Sequence, residues 1–169
     1  MPRTLSDIIT DPQVYLEKLF KKIEKTGLQI EDCFLDHICY RVATEEEYQS
    51  AKVELLDHAS LLIESMVNGR MISTFKLHSP IHFNNRIIDV LELPAPKPGS
   101  TYLSGLEHAE FVTSEGLKSF IERYPALKFE TTGIDKKINA DVTLRFDGEV
   151  IRFHNQTLED VIALERKLL

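Results

Sequence analysis

The sequence predicts an α+β fold, with paired βαβββ modules curled into an incomplete barrel behind an N-terminal helical lead-in. Three observations predict it. The passage Leu35-Asp36-His37-Ile38-Cys39-Tyr40-Arg41-Val42 is echoed by Leu106-Glu107-His108-Ala109-Glu110-Phe111-Val112, each with a histidine near the start of a strand-like run. Each passage is followed by the same order of helical and extended patterns. A stiff connector holding Pro94, Pro96, Pro98 and Gly99 lies between the halves. One domain over residues 1–169 is expected: a lead-in at 1–30, a first module at 31–93, a linker at 94–105, a second module at 106–156 and a closing helix at 157–169.

The elements follow in order. Asp11-Pro12 reads as N-cap and first helical residue, and Leu16, Leu19, Phe20 and Ile23 then follow the spacing of one buried helical face. Gly27 stops that helix. Residues 35–42 form the opening strand of the first module. Thr44-Glu45-Glu46-Glu47 starts a helix with Tyr48, Ala51 and Leu55 on one face. Strands at 61–67 and 71–77 meet at Asn68-Gly69, a strong hairpin signal, and Asn84-Asn85 turns the chain into a strand at 87–93.

The second module repeats the order. Residues 106–112 are a strand, Ser114 is placed to cap a helix carrying Leu117, Phe120 and Ile121, and 127–131 is a short strand. Strands at 142–146 and 150–153 turn about Asp147-Gly148. Thr157-Leu158-Glu159-Asp160 caps the last helix.

Bulk properties narrow the function. The 169 residues can bury a substantial core, and 43% hydrophobic with 28% charged residues is ordinary globular composition. A formal charge of −7 argues against nonspecific nucleic-acid binding. No apolar run reaches the roughly 20 residues that span a bilayer, and the N-terminus lacks a signal-peptide pattern, so a cytoplasmic protein without a membrane partner is expected. Cys33 and Cys39, along one extended segment, would stand roughly 20 Å apart, beyond disulfide reach. They read as buried thiols in a reducing compartment.

Alternation along a strand puts His37 on one face with Leu35, Cys39 and Arg41, opposite Ile38, Tyr40 and Val42. His108 and Glu110 share a face in the second copy. Glu92 lies eight residues after Asn84, and His154 seven after Asp147. His37, Glu92, His108 and His154 are therefore the candidate metal ligands, a nitrogen and oxygen set suited to zinc, iron, manganese or nickel. Glu92, within an apolar run, would be costly to bury ionised without a partner, so either its strand is exposed on that face or it meets a cation. The one-residue shortfall would turn His154 to the other face unless a turn or bulge absorbs it; Asn155 is the strict-register alternative. His78 and His82 could line a cavity mouth or be solvated turn residues, and His58 reads as a surface residue. Arg70, Lys76, Arg86 and Arg152 could serve an anionic substrate, although strand charges usually face water. No Gly-rich phosphate loop, nucleophile elbow or His-Glu-x-x-His helix is present.

Asp36-His37-Ile38, Asn68-Gly69-Arg70, Phe75-Lys76-Leu77-His78, Leu91-Glu92-Leu93-Pro94, Glu107-His108-Ala109-Glu110 and Asp147-Gly148 leading to Phe153-His154 together resemble the bacterial YecM family. That resemblance spans roughly residues 30–165. The family's fold belongs to the vicinal oxygen chelate superfamily of glyoxalases, epimerases, extradiol dioxygenases and fosfomycin-resistance proteins. It implies a divalent ion held from the first and fourth strands of each module, positions that fall on His37, Glu92, His108 and His154. Two departures stand out: His154 occupies a place where glyoxalases and epimerases commonly have glutamate, and extradiol dioxygenases use two histidines with one carboxylate. The expected function is a metal-dependent isomerase or epimerase, slightly ahead of an oxidoreductase, on a small oxygen-bearing substrate, with Glu110 as general base. The alternatives are a non-catalytic protein binding a small molecule or metal in the same cavity, and a metal-free scaffold. A homodimer is allowed, since proteins of this superfamily often pair.

Overall fold

Thr4 begins the first ordered turn of the chain: its hydroxyl accepts from the Asp7 amide at 3.2 Å, and the Asp7 carboxylate accepts from the Thr4 amide at 2.8 Å. This reciprocal cap starts α1 (Leu5–Ile9) and holds the Asp7 carboxyl below its ordinary value through the Thr4 hydrogen bonds. Then come α2 (Pro12–Thr26), β1 (Phe34–Arg41), α3 (Glu45–Leu55), β2 (Ala59–Val67), β3 (Arg70–Phe83), β4 (Arg86–Pro94), β5 (Gly105–Val112), α4 (Leu117–Glu122), β6 (Phe129–Glu130), β7 (Asp141–Phe146), β8 (Glu149–His154) and α5 (Leu158–Lys167). The βαβββ order thus occurs twice. This computed structural model describes residues 1–169, which form two compact units, 1–17 with 37–107 and 18–36 with 108–169.

In the first unit the strands are ordered β2-β3-β4-β1. β2, β3 and β4 form an antiparallel meander, and the chain crosses through α3 so that β1 lies parallel to β4, with His37 opposite Val90 and Cys39 opposite Glu92. Asn68 (φ 50°) and Gly69 (φ 84°) make the β2–β3 turn, where both central residues need positive φ. Thr44 caps α3 by accepting from the Glu47 amide, and Tyr48, Ala51 and Leu55 are buried beneath it. Ile38, Phe75, Leu91 and Leu93 complete this core.

The second unit repeats the plan, ordered β5-β8-β7-β6, with β5 parallel to β8 and an Asp147-Gly148 turn (φ 45° and 78°) between β7 and β8. Its core is aromatic. Phe153 stands 4.6 Å from Phe120 and 5.4 Å from Phe111 between ring centroids, and Phe20 of α2 reaches Phe111 at 6.2 Å. Lys22, on α2, ties the β7–β8 hairpin through the Asp147 carbonyl and the Glu149 carboxylate at 3.0 Å.

Four local expectations change. α1 is an added helix, missed because its box closes on aspartate rather than the usual glutamate or glutamine. β3 continues to Phe83, past Ser79-Pro80, because its register on β4 shifts between Lys76 and Ile81 and so accommodates a residue without an amide hydrogen. Ser114 does not cap α4; Gly116 holds that position without a side-chain bond. The strand expected at 127–131 is the two-residue β6. Cys33 and Cys39 are buried thiols with no disulfide between them. No helix is long and apolar enough to cross a membrane.

Candidate metal centre

The polar side chains of the second unit collect on one face of its sheet because of strand register. Residues opposite one another in a ladder project the same way, and β8 sets Val150, Arg152 and His154 against His108, Glu110 and Val112. β7 adds Thr143 opposite Arg152 and Asp141 opposite His154. The intervening residues Ala109, Phe111, Ile151 and Phe153 fill the core behind. A hydrophobic face and a polar face are thus written into alternate positions of the same strands.

Glu110 is the centre of that polar face and is 4% exposed. An ionised carboxylate removed from water needs strong donors. It has one imidazole on each oxygen, His108 Nε2 at 2.8 Å from Oε2 and His154 Nε2 at 2.5 Å from Oε1. Arg152 adds positive charge at 3.9 Å. The guanidinium is itself held: its Nε donates to Thr143 Oγ1 at 3.2 Å, Thr143 donates to Asp141 Oδ2 at 3.3 Å, and Lys136 donates to Asp141 Oδ1 at 2.9 Å. Gly133 lets this network close, since a Cβ there would collide with the Asp141 carboxylate.

The other nitrogen of His154 fixes its chemistry. Nδ1 lies 3.1 Å from the Ala140 carbonyl, which can only accept, so Nδ1 carries the hydrogen. The opposite nitrogen, Nε2, faces Glu110 Oε1. A ring nitrogen 2.5 Å from a carboxylate oxygen is at hydrogen-bond distance, so a hydrogen lies between them. A backbone carbonyl that holds one imidazole N–H and aims the opposite lone pair inward is also the usual support of a metal-ligating histidine. His108, Glu110 and His154 thus form a hydrogen-bonded imidazole–carboxylate–imidazole cluster of nitrogen and oxygen groups that can also ligate a divalent ion.

In the first unit, His37 is 3% exposed on β1. Cys39 faces Glu92 across the β1–β4 ladder, so His37, Cys39 and Glu92 share one face. One His37 nitrogen and one Glu92 oxygen lie within 4.8 Å of each other, close enough for a common ion. Glu92 is half-buried, as its place in an apolar run requires if it faces a cation.

The register resolves the His154 question without a bulge. Glu92 stands two residues beyond Val90, the residue opposite His37; His154 stands four beyond Val150, the residue opposite His108. Both counts are even, so each carboxylate or imidazole shares a face with its module's histidine. The position in the second module that corresponds strictly to Glu92 is Arg152, and His154 sits one pleat further along. Asn155 has a different role: its amide donates to the carbonyls of Thr113 and Glu115, each at 2.8 Å. Sequence reading missed Thr143, Asp141 and Lys136; the same-face spacing of Asp141 and Thr143 before the hairpin turn is a signal for the first two, and Lys136, in the loop before β7, leaves none.

Most of the other candidates make local contacts. His58 Nε2 bonds the Arg3 carbonyl at 2.8 Å and is half-buried rather than a plain surface residue. His78 Nε2 meets Ser60 Oγ at 3.1 Å, while His82 is exposed and only its backbone carbonyl is engaged, accepting from Gln13 at 2.6 Å. Lys76 pairs with Asp89 at 2.8 Å, and Arg70 donates to the Ala95 carbonyl at 3.3 Å.

Comparison with known proteins agrees with this architecture. The family model described as "YecM protein" matches residues 4–165. Protein YecM of Escherichia coli (strain K12) is 28% identical over 185 residues, covering 96% of this chain and 94% of that protein. An uncharacterized protein of Haemophilus influenzae is 26% identical over 153 residues, covering 88% and 78%. Among solved structures, a structural-genomics structure titled protein EC4020 is similar with a TM-score of 0.78 and 25% identity over 95% of this chain and 92% of that one. A variant of Streptomyces coelicolor methylmalonyl-CoA epimerase in complex with 2-nitronate-propionyl-CoA shares the fold, with a TM-score of 0.51 and 11% identity over 72% of this chain and 95% of that one. The chain belongs to the YecM protein family and has the vicinal oxygen chelate fold.

Proposed function

We propose that this protein binds a divalent cation through first- and fourth-strand side chains of its modules, His37 and Glu92 in the first and His108 and His154 in the second, and uses it to isomerise or epimerise a small oxygen-bearing substrate. The observation that carries this reading is the orientation of His154, whose Nδ1 meets the Ala140 carbonyl while Nε2 points into the buried polar face. When bound, such an ion supplies Lewis acidity, polarising a carbonyl and stabilising an enolate.

The chain's own residues account for proton movement and charge. Glu110 Oε1, within hydrogen-bond reach of His154, is the carboxylate placed to take a proton from substrate carbon and return it. Arg152, fixed by Thr143, adds positive charge beside the same carboxylate. Fold kinship with an epimerase supports the reaction class, because an epimerase needs a carbon acid, a proton carrier and a stabilised enolate, and no redox partner.

The test is calorimetric titration of tag-free, chelator-treated protein with zinc, manganese and nickel, followed by a deuterium-exchange screen of 2-oxo and 2-acyl acids. Metal-dependent α-proton exchange supports the proposal. Stoichiometric metal binding without exchange points instead to a protein that sequesters a small molecule or metal without turnover.

A further inference from the structure

We propose that the first unit carries a second binding site, on the helix side of β1, for a small organic ammonium ion. Alternation separates it from the metal ligands: His37 and Cys39 project from one face of β1, Tyr40 from the other. There a cleft of about 250 Å³ opens between β1, α1 and α3. Ile8, Val42 and Ala51, all buried, give it an apolar floor.

Tyr40 is the telling residue. It is 8% exposed and lines the cleft, yet its hydroxyl makes no hydrogen bond within the protein. That hydroxyl opens on the cleft with no protein partner, so a ligand atom there can meet it. Burial, with the nearby Glu47 charge, pushes its phenol up and keeps it a neutral O–H able to donate and accept.

The charges at the mouth select the ligand's sign. Arg3 is committed, with Nη1 on both oxygens of Glu54 at 3.0 and 2.9 Å and its other amino group on the Asp7 carbonyl. Glu47 is not neutralised: its Oε2 accepts from the Ala43 amide at 3.1 Å and from the Ser104 hydroxyl, both uncharged donors. A carboxylate held in place by neutral groups, beside a phenol hydroxyl that opens on the cleft and above an apolar floor, matches an alkylammonium head and tail. The volume lies below the roughly 300–1,000 Å³ of drug-sized pockets, which limits the ligand to on the order of six heavy atoms.

The experiment titrates n-butylammonium into the isotope-labelled full chain and follows amide shifts, with butyrate and n-butanol as size-matched anionic and neutral probes. Expected is saturable binding with a Kd of about 1–10 mM, with shifts centred on Val42, Ala51 and Ser104. Both control probes should bind at least about tenfold more weakly. Tyr40→Phe, which keeps the ring and hence the packing, should weaken binding several-fold, and Glu47→Gln about tenfold or more. Butyrate binding as tightly as butylammonium would overturn the proposal. So would the absence of saturable shifts, shifts centred elsewhere, or unchanged affinity in both variants.

Discussion

Glu110 Oε1 lies 2.5 Å from His154 Nε2, while the opposite nitrogen of the same ring lies 3.1 Å from the Ala140 carbonyl. Because a carbonyl cannot donate, the second contact decides what the first must contain. Replacing Glu110 with glutamine preserves both imidazole contacts, since an amide offers one acceptor and two donors. Glu110→Gln should therefore shift thermal stability by no more than about 1 kcal/mol. Substrate α-proton exchange should fall about 10²–10⁴-fold. An unchanged exchange rate would remove Glu110 from proton transfer.

Asn155 separates structural from ligating roles. Its amide holds two carbonyls, those of Thr113 and Glu115. Asn155→Ala should cost about 1–3 kcal/mol in denaturant unfolding and leave metal affinity unchanged. A metal-binding defect in a variant that is still folded would return Asn155 to the ligand set.

Acid and alkaline stability should follow the pair Glu64 and Tyr48. Lys52 at 2.8 Å, Tyr48 at 2.6 Å and Ser73 at 2.9 Å all donate to Glu64 Oε2. Lys52, then Tyr48, hold the Glu64 carboxyl at about 2, against an ordinary 4.5. Its folded value is depressed, so its stabilisation is complete above about 4.5 and drains away as pH falls toward about 2. Tyr48 is pushed up to about 12 by burial and by its bond to Glu64, so its share is complete below 10.0 and is lost as pH rises through about 12. Glu64→Gln should flatten the acid limb of the stability profile, and Tyr48→Phe the alkaline limb. Limbs that overlay wild type would contradict both assignments.

Phe153 joins the polar face to the core, lying in β8 between Arg152 and His154 and packed on Phe111 and Phe120. Phe153→Ala should destabilise the protein by about 3–5 kcal/mol. It should also weaken metal binding, by loosening the strand that carries His154. Loss of stability with full metal affinity in the folded fraction would show that the strand does not need this packing to aim the imidazole.

Much of this was legible from the chain. Asn68-Gly69 and Asp147-Gly148 announced their turns because few residues accept positive φ at both central positions. Thr44 and Thr157 announced their helices because a hydroxyl at the cap must find an amide. His37, His108 and Glu110 were placed on polar faces by alternation alone. The position of His154 was not settled by counting from the turn, because the offset between a hairpin and the parallel strand beside it depends on the crossover, which no local signal encodes. The Ala140 carbonyl, the contact that fixes the tautomer of His154, was invisible for a related reason: every residue has a carbonyl, and only the folded loop shows which one meets the ring.

The most direct test is the metal content of tag-free protein after loading with a divalent ion and exhaustive dialysis, compared with a His108→Ala, His154→Ala double variant whose circular dichroism matches wild type. The account predicts stoichiometric retention by wild type and loss of at least about tenfold in affinity for each ligand removed. Wild-type protein that retains no ion, or a folded double variant that retains as much, would contradict it.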